Sequence, residues 1–597
     1  MWDQRAVMGR TEAVKQAWLT RHFSAKDCSG GDVLTIPTSK QACPCRNRAR
    51  ASAGTYAIFF TALAFFALAC SPKSDLSDAP AGGAGGTLVS AAGGATSGMG
   101  GSTLIIKTSP GSTQCNGSGY SCLVPKCYNA ATGTTVSGTV LDPSGKNPVY
   151  GAVVYIPDQP DQIGDISQGP GNLCGRCVQP AGSPIAGAVT GADGSFTITR
   201  TPVGRQIPIV VQLGKWRRMS FIDINNACAD NPIGDPDLTR LPRSRGDGKK
   251  ASLPRIAIAA GAADRLQCLL LRMGVDASEF TNPDGSGSVN LFNQPPALGS
   301  DPSGRYDLGV NSGAAFPDAA AFWSDLTQLA KYDVVLLACA GNQAATDPTR
   351  TIPNPITDSA KASLVKYMAS GGRVLGEHYN WAWIRSYPPK SDGQASTSVP
   401  SPLASDVASW FPYVDAADAS SSAVPANTTA QVRVDTSFSK GKDFARWLVA
   451  AKATPELGIL SLVGDVKRTA IDELAGAPSA QRWLYQPASP ADPTGAAAYS
   501  HYLSFNLTSS GQVVDRASTD ATNLCGRFVY TGLHADVGDT STHASDLADD
   551  KAKAAPFPSC CAAGDLNPTE KAMEFMVLDL SACLTLDADT TADQILF

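Results

Sequence analysis

Short apolar segments that alternate with helical segments constrain the fold of this chain more than any other feature of its sequence. Pro254–Gly261 is a largely apolar run of strand length, and Asp264–Met273 follows it with Leu and Met side chains on one helical face. Tyr332–Cys339 and Arg373–Gly376 are further apolar runs of this kind. Apolar strands without polar alternation, separated by helices, indicate a parallel sheet covered on both faces. We therefore predict a flavodoxin-like α/β domain over residues 251–597.

Helix-end signals support this prediction. Thr357 is an N-cap for a helix over Asp358–Ala369, and Gly371 follows as a stop signal. Near the C-terminus, Asn567–Glu570 has the Asn, Pro and Glu of a capped helix start. We expect the apolar face of this C-terminal helix to dock on the sheet.

A divergent stretch interrupts the α/β pattern at about 387–500. Ser396–Thr428 is rich in Ser, Ala, Asp and Pro, which predicts an insertion or surface loops. Gln431–Val434, Arg482–Tyr485 and His501–Phe505 have the composition of late strands. The sheet is therefore expected to continue beyond the insertion.

A second folded unit precedes the α/β domain. Val136–Arg218 consists of short alternating runs separated by Gly, Pro and Asp, which indicates antiparallel strands. We predict a small antiparallel β-sandwich over 111–250, in which Asn226–Lys250 is a connector rich in Pro, Asp and Arg. Within it, Lys215–Arg218 is either a strand whose Trp packs while its charges face water, which we favour, or a cation-flanked aromatic that binds glycan or an anionic polymer.

Several motifs of this unit resemble the carboxypeptidase regulatory-like, transthyretin-type domain. They are the strand Gly138–Val140, the turn Asp142–Gly145, the strand Gly151–Val154, the segment Thr190–Phe196 and the turn Pro202–Gly204. Such domains accompany enzymes and surface proteins alike and carry no chemistry themselves. The resemblance therefore implies a transthyretin-like sandwich and does not imply a peptidase.

The α/β domain has more specific motifs. YDVVLLACAGN, VKYMASGG, RVLGEHYNW and CGRFVYTGLHADVG are similar to the trehalose-utilisation (ThuA-like) branch of the class I glutamine amidotransferase-like fold. The similarity covers roughly Leu253–Leu584. In amidotransferases the turn after one strand carries a nucleophilic Cys, and the matching turn here holds His378. The resemblance thus implies an amidotransferase-like fold without thioester chemistry at that turn.

Two histidines fall at the ends of predicted parallel strands, where open α/β sheets gather ligands. His378 has Glu377 beside it, and His534 has Asp536 two residues later. These four residues are candidates for an acid/base pair or a weak metal site of unspecified metal. The alternative, which we favour, is a pair of buried histidines at a relic site, and no cofactor is predicted. Cys339 is a candidate for a displaced nucleophile, although a buried or disulfide-bonded Cys is the commoner case.

A leader is predicted over residues 1–69. Ala57–Ala69 is an apolar run broken by one Thr, preceded by three Arg and followed by Cys70. It is shorter than the ~20 residues of a membrane-spanning helix. The pattern resembles a bacterial lipoprotein signal, which implies acylation of Cys70 and, with Ser71 next, an outer-membrane lipoprotein at the periplasmic face or cell surface. Residues 70–110, rich in Gly, Ala and Ser, are predicted to be a flexible tether.

Cysteine content agrees with export. The chain has 16 Cys, of which 12 follow Cys70. An even number in an exported protein indicates disulfides. Cys174 and Cys177 form a CxxC, which is a redox pair, half a zinc site or, as we favour, part of a structural cross-link. Cys560, Cys561 and Cys583 flank the C-terminal helix and are expected to pair with Cys525 or with one another.

Two function classes remain. Lys plus Arg number 48 against 53 Asp plus Glu, which argues against a nucleic-acid partner. The first class, which we favour, is a non-catalytic envelope lipoprotein that presents a binding surface for glycan or protein. The second is an exported hydrolase or sugar-modifying enzyme that uses His378 and His534. Imidazoles within about 8 Å of each other in an open pocket would favour catalysis or metal binding, whereas separated or buried imidazoles would favour binding.

Overall fold

The computed structural model describes residues 119–128, 132–171, 174, 178–296, 300–340, 356–384, 430–462, 479–487, 498–518, 524–535 and 555–584. The predicted leader and tether, Cys70, Cys177 and Asp536 lie outside these residues. Everything described belongs to one compact unit. Among the described helices, none is both long and apolar enough to cross a membrane.

The first half of this unit consists of two sheets. Its elements are β1 (Thr135–Thr139), β2 (Val153–Pro157), β3 (Pro184–Val189), β4 (Ser195–Thr199), β5 (Gly204–Leu213), β6 (Trp216–Ile224), β7 (Asp230–Pro232), α1 (Pro236–Thr239) and β8 (Lys249–Ser252). The sheet orders are β3-β2-β5-β6-β8 and β4-β1-β7. Neighbouring strands are antiparallel except β1 and β7, which are parallel. Val136 and Phe196 of the smaller sheet share a core with Val154 and Val211 of the larger one, as a sandwich requires.

The prediction that Asn226–Lys250 is a connector is wrong. Asn226–Lys250 contributes β7, α1 and the start of β8, so it belongs to both sheets. Arg240 pairs with both Asp237 and Asp247 inside the segment, and Asp247 also pairs with Arg218 of β6, which holds the segment against the sandwich. A Pro-, Asp- and Arg-rich composition predicted a linker because sequence alone does not show which charges pair.

The segment Lys215–Arg218, with its Trp between cations, is only partly as expected. Trp216 is fully buried, as the packed alternative predicted. Its charges do not face water, however, because Arg217 is buried and donates to the carbonyls of Gly164 and Lys250, and Lys215 pairs with Asp333 of the α/β domain.

The second half forms one mixed sheet with helices. Its elements are β9 (Ile256–Ala260), α2 (Leu266–Arg272), β10 (Phe280–Thr281), β11 (Val289–Asn293), α3 (Ala319–Ser324), α4 (Leu326–Leu329), β12 (Val334–Leu337), α5 (Asp358–Ala369), β13 (Arg373–Glu377), β14 (Ala430–Val434), α6 (Ser439–Ala450), β15 (Ile459–Leu462), β16 (Gln481–Pro487), β17 (Ala498–Thr508), β18 (Leu524–Thr531) and α7 (Pro568–Ser581). The sheet order is β10-β11-β9-β12-β13-β18-β17-β16-β14-β15. The six strands from β10 to β18 in that order are parallel.

The sheet is not parallel throughout. The last four strands in the order, β17, β16, β14 and β15, are antiparallel to their neighbours. Most of them fall inside the stretch 387–500 that was predicted to be an insertion, and α6 also lies there. The three late strands predicted from composition are confirmed, but the described part of that stretch extends the sheet instead of leaving it.

Helices cover both faces of the parallel strands, as predicted. One core contains Leu266 of α2 and Met576 of α7, and the other contains Phe322 of α3 and Leu364 of α5. The predicted capping box of the C-terminal helix is present, with Asn567 and Glu570 as its partners. Two short helices, α3 and α4, follow each other directly, because the Asp325 side chain accepts from the N–H of Thr327 and starts a new helix.

Disulfides cross-link the unit, as predicted from the cysteine content. The described pairs are Cys127–Cys228, Cys174–Cys525 and Cys268–Cys561, and Cys122 and Cys583 are also disulfide-bonded. Cys174–Cys525 joins the sandwich to β18, so Cys174 is part of a structural cross-link, as favoured. The cysteines that flank the C-terminal helix were expected to pair with Cys525 or with one another, and this prediction is wrong. Cys525 and Cys561 are bonded to cysteines that are distant in sequence.

Candidate functional site

Four adjacent parallel strands bring the candidate residues together. β9, β12, β13 and β18 are neighbours in the sheet, so their carboxyl ends meet at one edge. Asp264 follows β9, Cys339 follows β12, His378 follows β13 and His534 follows β18.

The closest contact joins Cys339 and His378. The Cys339 Sγ lies 3.4 Å from the His378 Nδ1. Cys339 is fully buried and present as a thiol, and His378 is 3% exposed. The expectation that Cys339 is buried is confirmed, and the disulfide-bonded alternative is wrong for it. The Cys339 thiol thus lies against the His378 turn, where the amidotransferase-like resemblance implied no nucleophilic cysteine.

His378 has a left-handed backbone. Its φ is +42°, a conformation that costs a non-glycine residue about 1 to 3 kcal/mol and persists only where the surroundings enforce it. Here the Tyr530 hydroxyl donates to the His378 carbonyl at 2.7 Å, and a 3₁₀ helix over His378–Trp383 begins at once. The sharp turn directs the imidazole toward Cys339 at the end of the neighbouring strand.

Asp264 orients the second imidazole. Its Oδ2 lies 3.2 Å from the His534 Nδ1 and accepts the Ala535 N–H at 2.7 Å. The two histidine rings are 4.8 Å apart between centroids. The His534 Nε2 is buried and has no hydrogen-bond partner among the described residues. An Nδ1–H held by a carboxylate leaves a lone pair on Nε2, which is the arrangement found at metal-bound histidines.

Glu377 supports the backbone of the site. It is fully buried, and its Oε2 accepts the Cys339 N–H at 3.1 Å. Of the four residues proposed from sequence, the structure therefore brings Glu377, His378 and His534 to one place, while Asp536 lies outside the described residues. Asp536 was expected to be the carboxylate that accompanies His534, and Asp264 is the carboxylate that contacts its Nδ1.

Amide side chains fix the strand ends on which the site depends. Asn380 Nδ2 donates to the carbonyls of Leu337, Ala338 and Glu377 at 2.9 to 3.0 Å, which ties β12 to β13. Gln294 Nε2 donates to the carbonyls of Ala259 and Ala338, which ties β9 to β12. A Cβ on Gly261 would lie 2.3 Å from the Cys339 carbonyl oxygen, so only glycine fits there.

Sequence reasoning missed Asp264 and Tyr502. Asp264 follows β9 at the same edge, so its position after a predicted parallel strand was an available signal. Tyr502 lies on an antiparallel strand and gave none. Burial, with smaller contributions from the negative charges of Glu377 and Asp264, raises the pKa of the Tyr502 hydroxyl, which keeps it protonated near these carboxylates.

The cluster has the composition of a metal site. One ligand atom each from Cys339, His378 and His534 lies within 4.8 Å of the other two. Sulfur and nitrogen ligands of one tetrahedral zinc, at about 2.3 and 2.0 Å from the metal, lie roughly 3.5 Å apart. The Cys339–His378 separation of 3.4 Å is already of this size. The two imidazoles are thus as close as ligands of one metal must be. His378 is buried, as the binding alternative expected, whereas 11% of the His534 side chain is exposed.

Comparisons with known proteins add little. No family model matches the chain, and no curated protein matches it. One solved structure, a type II cohesin–X-dockerin complex from Acetivibrio cellulolyticus, is similar to 24% of this chain and 86% of its own chain, with 15% identity and a TM-score of 0.14. A TM-score of this size carries no argument about fold or function.

Proposed function

We propose that this protein is an exported, lipid-anchored hydrolase whose α/β domain binds a transition-metal ion, with zinc preferred, through Cys339, His378 and His534. The observation that carries the proposal is the convergence of one thiol and two imidazoles, from three adjacent parallel strands, within 4.8 Å. Thiolate and imidazole are the ligands that zinc prefers, and three protein ligands are typical of catalytic zinc.

The alternative use of the same residues is a Cys339 nucleophile with His378 as its base. Burial argues against it, because Cys339 is 0% exposed and a nucleophile must reach the substrate. A metal ligand has no such requirement. When bound, zinc would supply Lewis acidity and lower the pKa of a water in its fourth position. The residues of this chain would hold and orient it.

Each neighbouring residue then has a defined task. Asp264 keeps the proton on the His534 Nδ1 and leaves Nε2 as the ligand atom. Glu377 and Asn380 hold the backbone from which Cys339 and His378 project. The left-handed turn at His378 keeps its imidazole against the thiol.

The sheet order supports a flavodoxin-like assignment and, with the motifs above, the amidotransferase-like resemblance. Apart from the two-residue β10, the parallel strands have the order β11-β9-β12-β13-β18, which in chain order is 2-1-3-4-5. In such sheets ligands bind where the order reverses, which is between β9 and β12. Asp264 and Cys339 follow these two strands.

Anchoring at Cys70, outer-membrane residence and the transthyretin-like assignment remain proposals that rest on the sequence motifs. In this view the sandwich presents a surface for glycan or another envelope protein, and the α/β domain carries the chemistry. The non-catalytic alternative keeps the same anchoring and surface but leaves the metal site without hydrolytic activity.

Metal analysis of purified protein tests the proposal. We expect about one zinc per chain after dialysis against zinc, with loss of zinc in Cys339→Ser and His534→Ala. Cys560→Ser is the matched control, because Cys560 is the other buried thiol among the described cysteines and lies outside the site. Cobalt substitution should give thiolate-to-cobalt charge transfer that Cys339→Ser abolishes.

Hydrolysis decides the catalytic part. Zinc-loaded and chelator-treated protein would be assayed on aryl esters, aryl glycosides and peptidoglycan fragments. Zinc-dependent turnover that is lost in His534→Ala supports the hydrolase. Stoichiometric zinc without turnover favours the non-catalytic alternative. Turnover that persists after chelation and vanishes in Cys339→Ser would instead identify a thiol nucleophile and overturn the metal proposal.

A further inference from the structure

A second sulfur cluster lies where α2 meets the segment before α7. Cys268 of α2 is disulfide-bonded to Cys561 with a Cα–Cα distance of 5.2 Å. Cys560, the preceding residue, is a buried thiol whose Sγ lies 3.9 Å from the Cys561 Sγ. One sulfur from each of the three residues lies within 4.8 Å of the other two. A thiol is therefore placed beside a disulfide that it does not belong to.

Backbone geometry decides which exchange is allowed. Disulfides need Cα–Cα distances of about 4.4 to 6.8 Å, and consecutive residues are only about 3.8 Å apart. A Cys560–Cys561 disulfide is therefore disfavoured. In a Cys268–Cys560 disulfide, the Cys560 sulfur would take the place that the Cys561 sulfur now has beside Cys268. The movement is short, because the sulfurs of Cys560 and Cys561 both lie within 4.8 Å of the Cys268 sulfur.

We propose that this cluster is a thiol–disulfide exchange site in which Cys268 bonds alternately to Cys561 and Cys560. The Cys560 thiol loses its proton to solvent base, and its sulfur attacks the Cys268 sulfur. The Cys268–Cys560 bond forms as the Cys268–Cys561 bond breaks, and Cys561 leaves as a thiolate that takes up a proton. The reaction is an isomerisation with no net oxidation, so it needs no oxidant or reductant.

The exchange gives α2 two alternative cross-links to the segment before α7. Arg265 holds the two elements together, because its guanidinium donates to the Cys560 carbonyl. The thiolate is the attacking species, and burial raises the pKa of the Cys560 thiol to about 11. Exchange should therefore be slow near neutral pH and accelerate about tenfold per pH unit toward that value.

Differential alkylation of the folded, full-length protein tests this. After incubation at pH 6 or pH 9, the sample is acid-quenched, denatured and treated with N-ethylmaleimide, then reduced, treated with iodoacetamide and digested with trypsin. Residues 554–571 form one tryptic peptide with Cys560 and Cys561 as its only cysteines, and residues 266–272 form the peptide with Cys268. Fragmentation between the two adjacent cysteines shows which one carried the thiol.

We expect maleimide on Cys560 alone after brief incubation at pH 6 and on both Cys560 and Cys561 after prolonged incubation at pH 9. Cys339, in the peptide 332–350, is the internal reference that should be labelled under both conditions. Maleimide confined to Cys560 after prolonged incubation at pH 9 would overturn the proposal.

A variant gives an independent result. Cys561→Ser is expected to form the Cys268–Cys560 disulfide and to keep its thermal midpoint within a few degrees of the native protein. Two thiols at Cys268 and Cys560 in the air-oxidised variant would overturn the proposal. Cys560→Ser is the control, in which Cys561 should stay unlabelled at both pH values.

Discussion

Replacing Asp264 with Asn is the most informative single change at the candidate site. The Asp264 carboxylate accepts both the Ala535 N–H and the His534 Nδ1 proton. An Asn in its place can accept only through its oxygen. Because Oδ2 makes both contacts, an Asn whose amide oxygen takes its place keeps the Nδ1 proton on His534 but removes the negative charge that makes the imidazole a stronger ligand through Nε2.

The size of the effect follows from the loss of this charge. Loss of the carboxylate behind a metal-bound histidine typically costs 10- to 100-fold in metal affinity. That factor corresponds to about 1.4 to 2.8 kcal/mol of binding free energy. The fold should survive, because Asn has nearly the shape of Asp and keeps the contact to Ala535.

Competition with a chromophoric chelator measures the zinc affinity of the native protein and of Asp264→Asn. Asp276→Asn is the matched control, because Asp276 also accepts a backbone N–H, from Ser278, but lies away from the site. Unchanged zinc affinity in Asp264→Asn, with normal thermal unfolding, would refute the view that the Asp264 carboxylate strengthens His534 as a metal ligand. Equal losses in both variants would show a general effect of removing a carboxylate.

Four further predictions concern membrane anchoring, glutamine hydrolysis, thiol content and the pH dependence of stability. Cys70→Ser should release the protein from the membrane fraction, and a variant that stays bound after a salt wash would place the anchor elsewhere. Purified protein should release no ammonia from glutamine, because the turn holds His378 and Cys339 is fully buried; turnover that disappears in His378→Ala would contradict this. Thiol titration of denatured, unreduced protein should find Cys339 and Cys560 as thiols and most other cysteines after Cys70 paired, whereas eight or more thiols would contradict the disulfide assignment. Burial and the neighbouring Asp142 raise the pKa of Glu574 well above its usual range. Glu574 therefore ionises more readily in the unfolded chain than in the folded one, and the free energy of unfolding falls as pH rises above about 4.5. Glu574→Gln should therefore raise the free energy of unfolding by about 1 to 3 kcal/mol at pH 7 and by less at pH 4. Denaturant titrations at the two pH values measure this, and equal changes at both would show that ionisation is not the cause.

Local signals in the sequence determined the elements of this fold. The helix Asp358–Ala369 and the capping box at Asn567 have the boundaries that were predicted, because a cap depends on residues three or four positions apart. Apolar runs without alternation predicted β9, β12 and β13, because a strand buried on both faces leaves no polar positions. These interactions lie within a few residues of chain.

The edge of the sheet was also predictable in part. Parallel strands place their carboxyl ends together, so His378 and His534 were expected at one edge although 155 residues separate them. The histidines were visible because only five occur in the chain. Cys339 was a candidate because it ends a predicted strand, whereas Asp264, which also follows a parallel strand, was missed because aspartates are common in this chain.

Tertiary structure alone decided which partners meet. Cys525 pairs with Cys174 across 351 residues, and Cys561 pairs with Cys268 across 293, so neither pair could be found from proximity in sequence. The order of strands in the sheet decided that Cys339 lies against His378 and that Asp264 holds His534. Sequence specifies the hydrogen bonds and apolar faces of each element locally, whereas the chemistry of this site depends on which strands become neighbours, and that is set by the packing of the whole sheet against the helices on its two faces.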